Sequence, residues 1–279
     1  MSISNLITYN LNSKNRSSGT NDNFTINIDL PSDIARFINK VSVTQVCVPK
    51  SWYFLQTGSN NLHLYEEVIG SGNKQLINII IPEGNYSKLQ LYNKLGSLMT
   101  LNSLNGVTYT FTDEHNDYDT GKLKINATNN NIKTYLYFFD NDIYECMGFN
   151  KNVEYEFISS IVSVNIINLN RENNIYLKSN IVNNRNNDMI TGSNVLCCVY
   201  SAANKDFSYI IQQYNMIDNM KDFVNNSSMN FYLTNEDNKS ILLNGVDMSL
   251  QINFFSYTSY KPFFDKINNY LNFSLISKN

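Results

Sequence analysis

The chain has 279 residues, 21 basic against 24 acidic, for a formal net charge of −3. That length suits one large domain, or one domain carrying an insert, and needs no disulfide or metal staple; the balance of charge argues against nucleic acid held by a basic face. Only 16% of residues are charged, and the polar share comes instead from Asn, roughly one residue in six, far above ordinary usage. Aromatics reach 13%, with 19 Tyr and 16 Phe but one Trp. Because Tyr, Phe, Ile, Val and Thr favour strands, the composition reads as soluble, aromatic-rich and β-leaning. It excludes collagen, coiled coil and a membrane span.

Residues 10–22 are polar and turn-rich, which predicts an N-terminal arm over 1–22 ahead of the core. Strict alternation then begins: Phe24, Ile26, Ile28 and Leu30 fall on one face, with Thr25, Asn27 and Asp29 on the other, and Pro31 ends the strand. In 38–48 the apolar parity slips between Val43 and Val46, so either a bulge sits there or both faces are covered. Pro49 stops that strand. Ile77–Ile81 reads as a short buried strand closed by Pro82-Glu83-Gly84-Asn85. The clearest helix follows, with Ser87 and Gln90 in capping-box spacing and Leu91, Leu95, Leu98 and Met99 on one face. A hairpin is expected from Val107, Tyr109 and Phe111 against Leu123, Ile125 and Ala127, then a strand at Tyr135–Phe139 and a short helical turn over 140–147, ended by Gly148.

The second half reads almost entirely as strands: 162–166, Ile175–Ile181, Val195–Tyr200, Phe207–Ile211 and Met229–Leu233, with a solvated loop at 183–188 and a turn at 235–238. Val246, Met248, Leu250, Ile252 and Phe254 form the longest clean alternation in the chain. About a dozen strands against two helices predicts an all-β sandwich or barrel. In the tail, Pro262 can open a helix whose one face carries Phe263, Phe264, Ile267, Tyr270 and Leu271. Such a segment either caps the chain's own sheet or docks on a neighbouring subunit.

Reactive residues are sparse. His63 and His115 are the two histidines, so a zinc site built from several His is excluded, and both read as incidental, one in a strand and one in a turn. Of Cys47, Cys146, Cys197 and Cys198, none forms a C-x-x-C pair, and Cys197-Cys198 lies in an apolar run. The N-terminus lacks the charged and apolar regions of a signal peptide, and a reducing intracellular site of synthesis is expected. Asp113, Asp117 and Asp119 cluster without the Gly and Glu that a calcium loop requires, because Tyr118 and Lys124 stand at those positions. A hairpin turn is the better account. Gly70-Ser71-Gly72-Asn73-Lys74 lacks phosphate-loop spacing. Glu66 and Glu67, adjacent on a strand, point to opposite faces and make a poor catalytic pair, and Asp140 with Asp142 is a further pair of carboxylates. No catalytic, cofactor-binding or metal-ligating residue is assigned, and the chain is read as no enzyme.

Four segments carry a resemblance. They are Tyr9–Arg16 followed by Asn23–Ile28, then Val41–Tyr53 with its Pro-aromatic corner, then Ile81-Pro82-Glu83-Gly84-Asn85-Tyr86-Ser87 leading into the helix, then Ile241–Ile252. In order and spacing the chain resembles the penton, or minor capsid, proteins of virophages and polinton-like viruses. The resemblance implies a single jelly-roll β-sandwich, five copies of which close an icosahedral vertex, with no catalytic residues. It implies as partners the chain itself in a homopentamer, the major capsid protein, and a vertex fibre or internal minor capsid protein, with no nucleic acid. It places the protein in the virion, synthesised and assembled in host cytoplasm. A jelly roll has eight strands and the chain offers more, so a smaller α+β insert is expected at 82–152, carried by a jelly roll of 23–81 and 153–257, with a C-terminal amphipathic segment at 258–279. The alternative is a host-glycan-binding spike or lectin-like module, with Trp52, Tyr53 and Phe54 either a stacking platform or a buried corner.

Overall fold

The computed structural model describes residues 2–115, 119–140, 142–169, 173–182, 194–201 and 207–258. The chain begins with β1 (Ser2–Asn12), a single 3-10 turn at Ser13–Asn15, β2 (Ser18–Gly19), β3 (Asn23–Asn27), α1 (Ser32–Ala35) and β4 (Lys40–Pro49). Next come β5 (Asn61–Val68), β6 (Lys74–Ile80), α2 (Lys88–Asn102), β7 (Tyr109–His115), β8 (Asp119–Ala127), β9 (Ile132–Tyr137), α3 (Tyr144–Met147), β10 (Glu154–Phe157) and β11 (Ser160–Ile166). The last stretch holds β12 (Asn174–Ser179), β13 (Val195–Tyr200), β14 (Tyr209–Gln213), β15 (Lys221–Asp222), β16 (Ser228–Thr234) and β17 (Ser249–Thr258). Two compact units share the chain, divided between residues 52 and 53 and again between 171 and 172. Among the described residues no helix is long and apolar enough to cross a membrane.

Unit 1 is a jelly roll. One sheet runs β1-β17-β4-β14, with β15 also on β4, and the other runs β13-β12-β16-β3-β2. Setting aside the two-residue strands β2 and β15, eight strands remain. Numbered along the chain they read 1-8-3-6 in one sheet and 5-4-7-2 in the other, every neighbour antiparallel. This is the order of two nested Greek keys. The inward positions follow the period-two pattern: Phe24 on β3, Val41, Val43, Val46 and Val48 on β4, Leu177 on β12, Phe231 on β16, and Leu250, Ile252 and Phe254 on β17 form one core. The parity slip in β4 is a bulge, because the register against β17 shifts between Gln251 and Ile252, leaving Thr44 as the extra residue.

The outward faces of these sheets are tied by carboxamides and hydroxyls. Thr8 Oγ1 donates to Asn253 Oδ1 at 2.6 Å, Asn253 Nδ2 donates to Thr44 Oγ1 at 2.9 Å, and Thr44 Oγ1 donates to Gln251 Oε1 at 2.9 Å. The chain of bonds crosses β1, β17 and β4. On the other sheet Asn230 Nδ2 donates to Asn23 Oδ1 at 3.0 Å, and the Asn230 backbone N–H donates to Asn180 Oδ1 at 2.9 Å. These cross-strand pairs put the Asn surplus to structural use without adding charge.

Two boundaries differ from expectation. Residues 2–12 are no arm but a strand, paired with β17 over the whole of its length apart from one shift between Ser4 and Ile7. Ile7, Tyr9 and Leu11 turn inward, while Thr8 and Asn10 face solvent. The second unit begins at residue 53 rather than 82 and ends at 171 rather than 152. β5, β6 and β11 alternate like sandwich strands, but Leu62, Leu64, Ile77 and Ile79 pack with the helix residues Leu91, Leu95 and Met99 into a core of their own. Alternation shows which face of a strand is buried, and not against which layer.

Unit 2 contains a four-stranded sheet, β10-β9-β5-β6, a three-stranded sheet, β11-β8-β7, and the helix α2, which packs on β7 and β6. The capping box is present: Gln90 N donates to Ser87 Oγ at 3.3 Å and Ser87 N donates to Gln90 Oε1 at 2.9 Å. Gly148 ends α3 at φ 73, where an added Cβ would lie 2.3 Å from the carbonyl oxygen of Asn165, so no other residue fits. The amphipathic tail at 258–279, beyond Thr258, and the loop at 183–188 lie outside the described residues.

Glu66 is fully buried at the centre of unit 2. Its Oε2 accepts from Leu104 N at 3.1 Å, Asn105 N at 3.0 Å and Asn105 Nδ2 at 3.0 Å, and its Oε1 accepts from the Tyr109 hydroxyl at 2.9 Å. That hydroxyl lies 3.0 Å from Thr134 Oγ1, so one carboxylate joins β5, β7, β9 and the turn after α2. Replacing Glu66 by Leu leaves the buried Tyr109 hydroxyl and the part-buried Leu104 and Asn105 N–H groups without this acceptor. A loss of about 1–3 kcal/mol in urea denaturation is expected, and the Glu66→Gln variant, which keeps one acceptor, should lose less.

Candidate functional site

Among the described residues, the groups capable of chemistry are dispersed, and those named in the sequence take part in structural contacts. His63, on the outward face of β5, meets Asp142 Oδ2 through Nδ1 at 2.8 Å, and the same oxygen accepts from Phe139 N at 2.7 Å. Asp142 is buried, and its Oδ1 has no hydrogen-bond partner among the described residues. Phe139 covers the imidazole edge-on, with ring centroids 4.8 Å apart. The pair orients a histidine, and no nucleophile is described beside it. Asp140, two residues before Asp142, stands exposed and accepts from Lys151 Nζ at 2.7 Å. Glu66 and Glu67 point to opposite faces of β5, the first into the core and the second outward, where Glu67 Oε2 accepts from the Tyr135 hydroxyl at 2.6 Å.

Three of the four thiols sit where burial disfavours the thiolate. Burial pushes Cys197 up to about 12, and burial also raises Cys47 and Cys198 above the ordinary thiol range. Thiolate is the nucleophile and the metal ligand, so these residues are packing groups. Among the described residues no three His, Cys, Asp or Glu side chains gather as a metal site. Of the acidic cluster, Asp119 Oδ1 accepts from Gly121 N at 2.8 Å, the bond of a tight turn, and Asp117 lies outside the described residues. His115 pairs with Asp119 across that hairpin.

What the chain does present is exposed apolar surface on strands. In unit 1, Tyr209 and Ile211 point outward from β14, 56% and 63% exposed, with Phe207 and Tyr200 similarly open. Phe207 holds φ 60, the left-handed region, which costs a bulky residue about 1–3 kcal/mol. In unit 2, the outward face of the four-stranded sheet sets Tyr65 opposite Leu76 and His63 opposite Tyr137, with Phe139 4.8 Å from the Tyr137 ring. Tyr135, in the same face, is covered by the Lys74 ammonium 3.8 Å above its ring. Sequence patterning identified β14 as a strand but gave no sign that one of its faces is open, because an exposed Tyr-x-Ile reads the same as a buried one. The corner residues do not form a platform: Trp52 is buried in the core of unit 1, and Phe54 packs with the core of unit 2, edge-on to Tyr86 at 6.2 Å.

No described protein family matches the sequence, and neither does any curated protein. Among solved structures, the crystal structure of the selenomethionine-labelled mavirus penton protein aligns with 91% of this chain and 100% of that chain, at 12% sequence identity and a TM-score of 0.48. The jelly-roll order of unit 1 follows from its strand pairing, independently of that likeness.

One carboxylate tests the electrostatics directly. Lys88 Nζ, 2.7 Å away, and the Tyr92 hydroxyl, 2.8 Å away, hold Asp113 below the ordinary carboxylate range, chiefly through the lysine bond, and so tie α2 to β7. A lowered folded-state value means the stabilisation is present above the unfolded value of about 3.9 and is lost as pH falls through the folded one. Asp113→Asn should therefore cost about 0.5–1 kcal/mol at neutral pH, screened by the half-exposed lysine, and nothing once wild-type Asp113 is itself protonated. Urea melts of both proteins across that range read the convergence.

Proposed function

We propose that this chain is a structural capsid protein that forms the pentameric vertex of an icosahedral virion and contacts the major capsid protein around it. The observation that carries the reading is the 1-8-3-6 and 5-4-7-2 strand order of unit 1, an architecture at home in viral capsids. The segments that resemble penton proteins fall on it coherently: Tyr9–Arg16 lies on β1 and its turn, Asn23–Ile28 on β3, Val41–Tyr53 on β4 and the corner after it, and Ile241–Ile252 on the approach to β17 and its first half. Ile81–Ser87 leads into α2.

A five-fold ring needs head-to-tail contact between unlike patches of one subunit. Tyr209 and Ile211 of β14, with Phe207 just before the strand, supply one such patch, uncharged and rich in the aromatic side chains that anchor interfaces. On this reading the protein is synthesised in host cytoplasm and ends at the capsid vertex, where a fibre or an internal minor capsid protein can also meet it. The glycan-binding alternative loses its platform, since Trp52 is buried.

Labelling the protein in intact particles should place it at the five-fold vertices. Its absence from particles, or a location on the facets, would overturn the reading. Tyr209→Lys combined with Ile211→Lys alters two exposed positions only, so the folded chain should keep its thermal midpoint while its incorporation falls about tenfold or more, the effect of losing one interface anchor. Quantitative mass spectrometry of purified particles measures that ratio.

A further inference from the structure

The four-stranded sheet of unit 2 ends at β6, whose one described strand partner is β5. Ile81 N donates to Asn60 O at 2.9 Å, directly beyond the paired residues Asn61 and Ile80. Bonded and non-bonded pairs alternate in an antiparallel ladder. Ile79, Ile77 and Gln75 therefore turn their backbone groups toward β5, whereas Leu76, Asn78 and Ile80 turn theirs away from it, to the open edge. The carbonyl of Asn61 accepts from Ile143 N on the far side of β5 at 3.0 Å, as that alternation requires. Leu76 is 47% exposed and Ile80 70%, and no described strand pairs with this edge.

Native sheets blunt their free edges with charges, proline or bulges, and β10, β7 and β1 obey, while the edge strands β13 and β14 of unit 1 are uncharged and proline-free like β6. β10, at the opposite end of the same sheet, carries Glu154 and Glu156, ion-paired to Lys74 and Lys133 at 2.8 Å each. β7 ends in Asp113, Glu114 and His115. β1 is bent by the shift between Ser4 and Ile7, with Asn5 at φ 52. β6 differs: between Lys74 and Pro82 it has no charge and no proline, and its register against β5 is unbroken.

The same stretch is self-complementary. We propose that β6 is a docking edge for a second copy of this chain, the two β6 strands pairing antiparallel about Asn78 to join two four-stranded sheets into one of eight strands. In that register Leu76 faces the partner's Ile80, Ile80 faces the partner's Leu76, and the two Asn78 residues face each other. The outward N–H groups of Leu76, Asn78 and Ile80 in each copy donate to the outward carbonyls of the other. Lys74 at each end comes opposite the partner's Pro82 and next in register to the partner's Glu83, so opposite charges can close both ends of an uncharged centre once the ammonium turns from Glu154, which holds it within its own sheet. Hydrogen bonds from the Thr57 hydroxyl and backbone lower the Glu83 carboxyl below its ordinary range and keep it anionic. The contact is two-fold and isologous, so it cannot close a five-fold ring. It pairs free copies, or copies from separate rings, and stands whether or not the capsid reading does.

The test uses the full chain. Sedimentation equilibrium across the micromolar range should show monomer passing to dimer, and Leu76→Lys combined with Ile80→Lys should raise the dissociation constant by at least tenfold with no change in the far-UV spectrum. A wild-type chain that stays monomeric, or an oligomer of any size indifferent to the two lysines, would overturn the proposal. A second measurement is independent of those variants. Asn78→Cys should be joined to its counterpart by a short bismaleimide in the otherwise wild-type chain, whereas Leu242→Cys, exposed on unit 1, should give only the background of the native thiols. Equal cross-linking at both positions would also overturn it.

Discussion

The architecture of unit 1 depends on β17 lying between β1 and β4. This strand, the last that the structure describes, carries the longest clean alternation in the chain and donates both of its edges, one to the first strand and one to the third. Remove that central position and the sheet separates into an isolated β1 and a β4–β14 pair. Everything else in the sandwich adjusts to it. The bulge at Thr44 lets Val43 and Val46 both face inward against the unbroken alternation of Ile252 and Leu250. The Asn and Thr side chains of β1 and β4 bond to Asn253 and Gln251 on the outer face of the same strand.

A surface built this way is polar without being charged. The Asn residues fill positions that Lys or Glu would occupy in most proteins, and they bond to one another across strands instead of solvating separately. The result suits close approach of many copies, since little like-charge repulsion opposes it. Unit 2 makes the opposite compromise. It holds one carboxylate, Glu66, in its centre and satisfies it from the turn after α2 and from Tyr109, so its core is tied together by directional bonds as well as by packing.

Much of this was legible in the residues. The alternation of β3 and β17, the slip in β4, the Ser87–Gln90 cap and the glycine closing α3 all rest on local geometry, which a sequence states directly. β1 was not, because its outward Ser, Asn and Thr side chains resemble those of a loose arm and the left-handed Asn5 breaks the pattern. The limits of the insert were not, because Leu62, Ile77 and their neighbours are patterned for burial in either unit. The exposed stripe on β14 and the open edge of β6 were not, since what surrounds a strand is a property of topology. The uncharged run from Gln75 to Ile81 was visible in the sequence, but only the sheet order reveals that no described strand pairs with its outer edge.

The position of unit 2 within the chain governs when each part can form. Residues 53–171 are contiguous and emerge from the ribosome as one block, complete before β12 exists. β1, β3 and β4 emerge earlier still, yet their partners β16 and β17 arrive roughly two hundred residues later, a separation that slows folding. During synthesis the interrupted sandwich therefore stays half-built until its last strands emerge, with apolar strands unpaired in the meantime. The polar outer faces of β1 and β3, already rich in Asn, keep one side of each compatible with water through that interval.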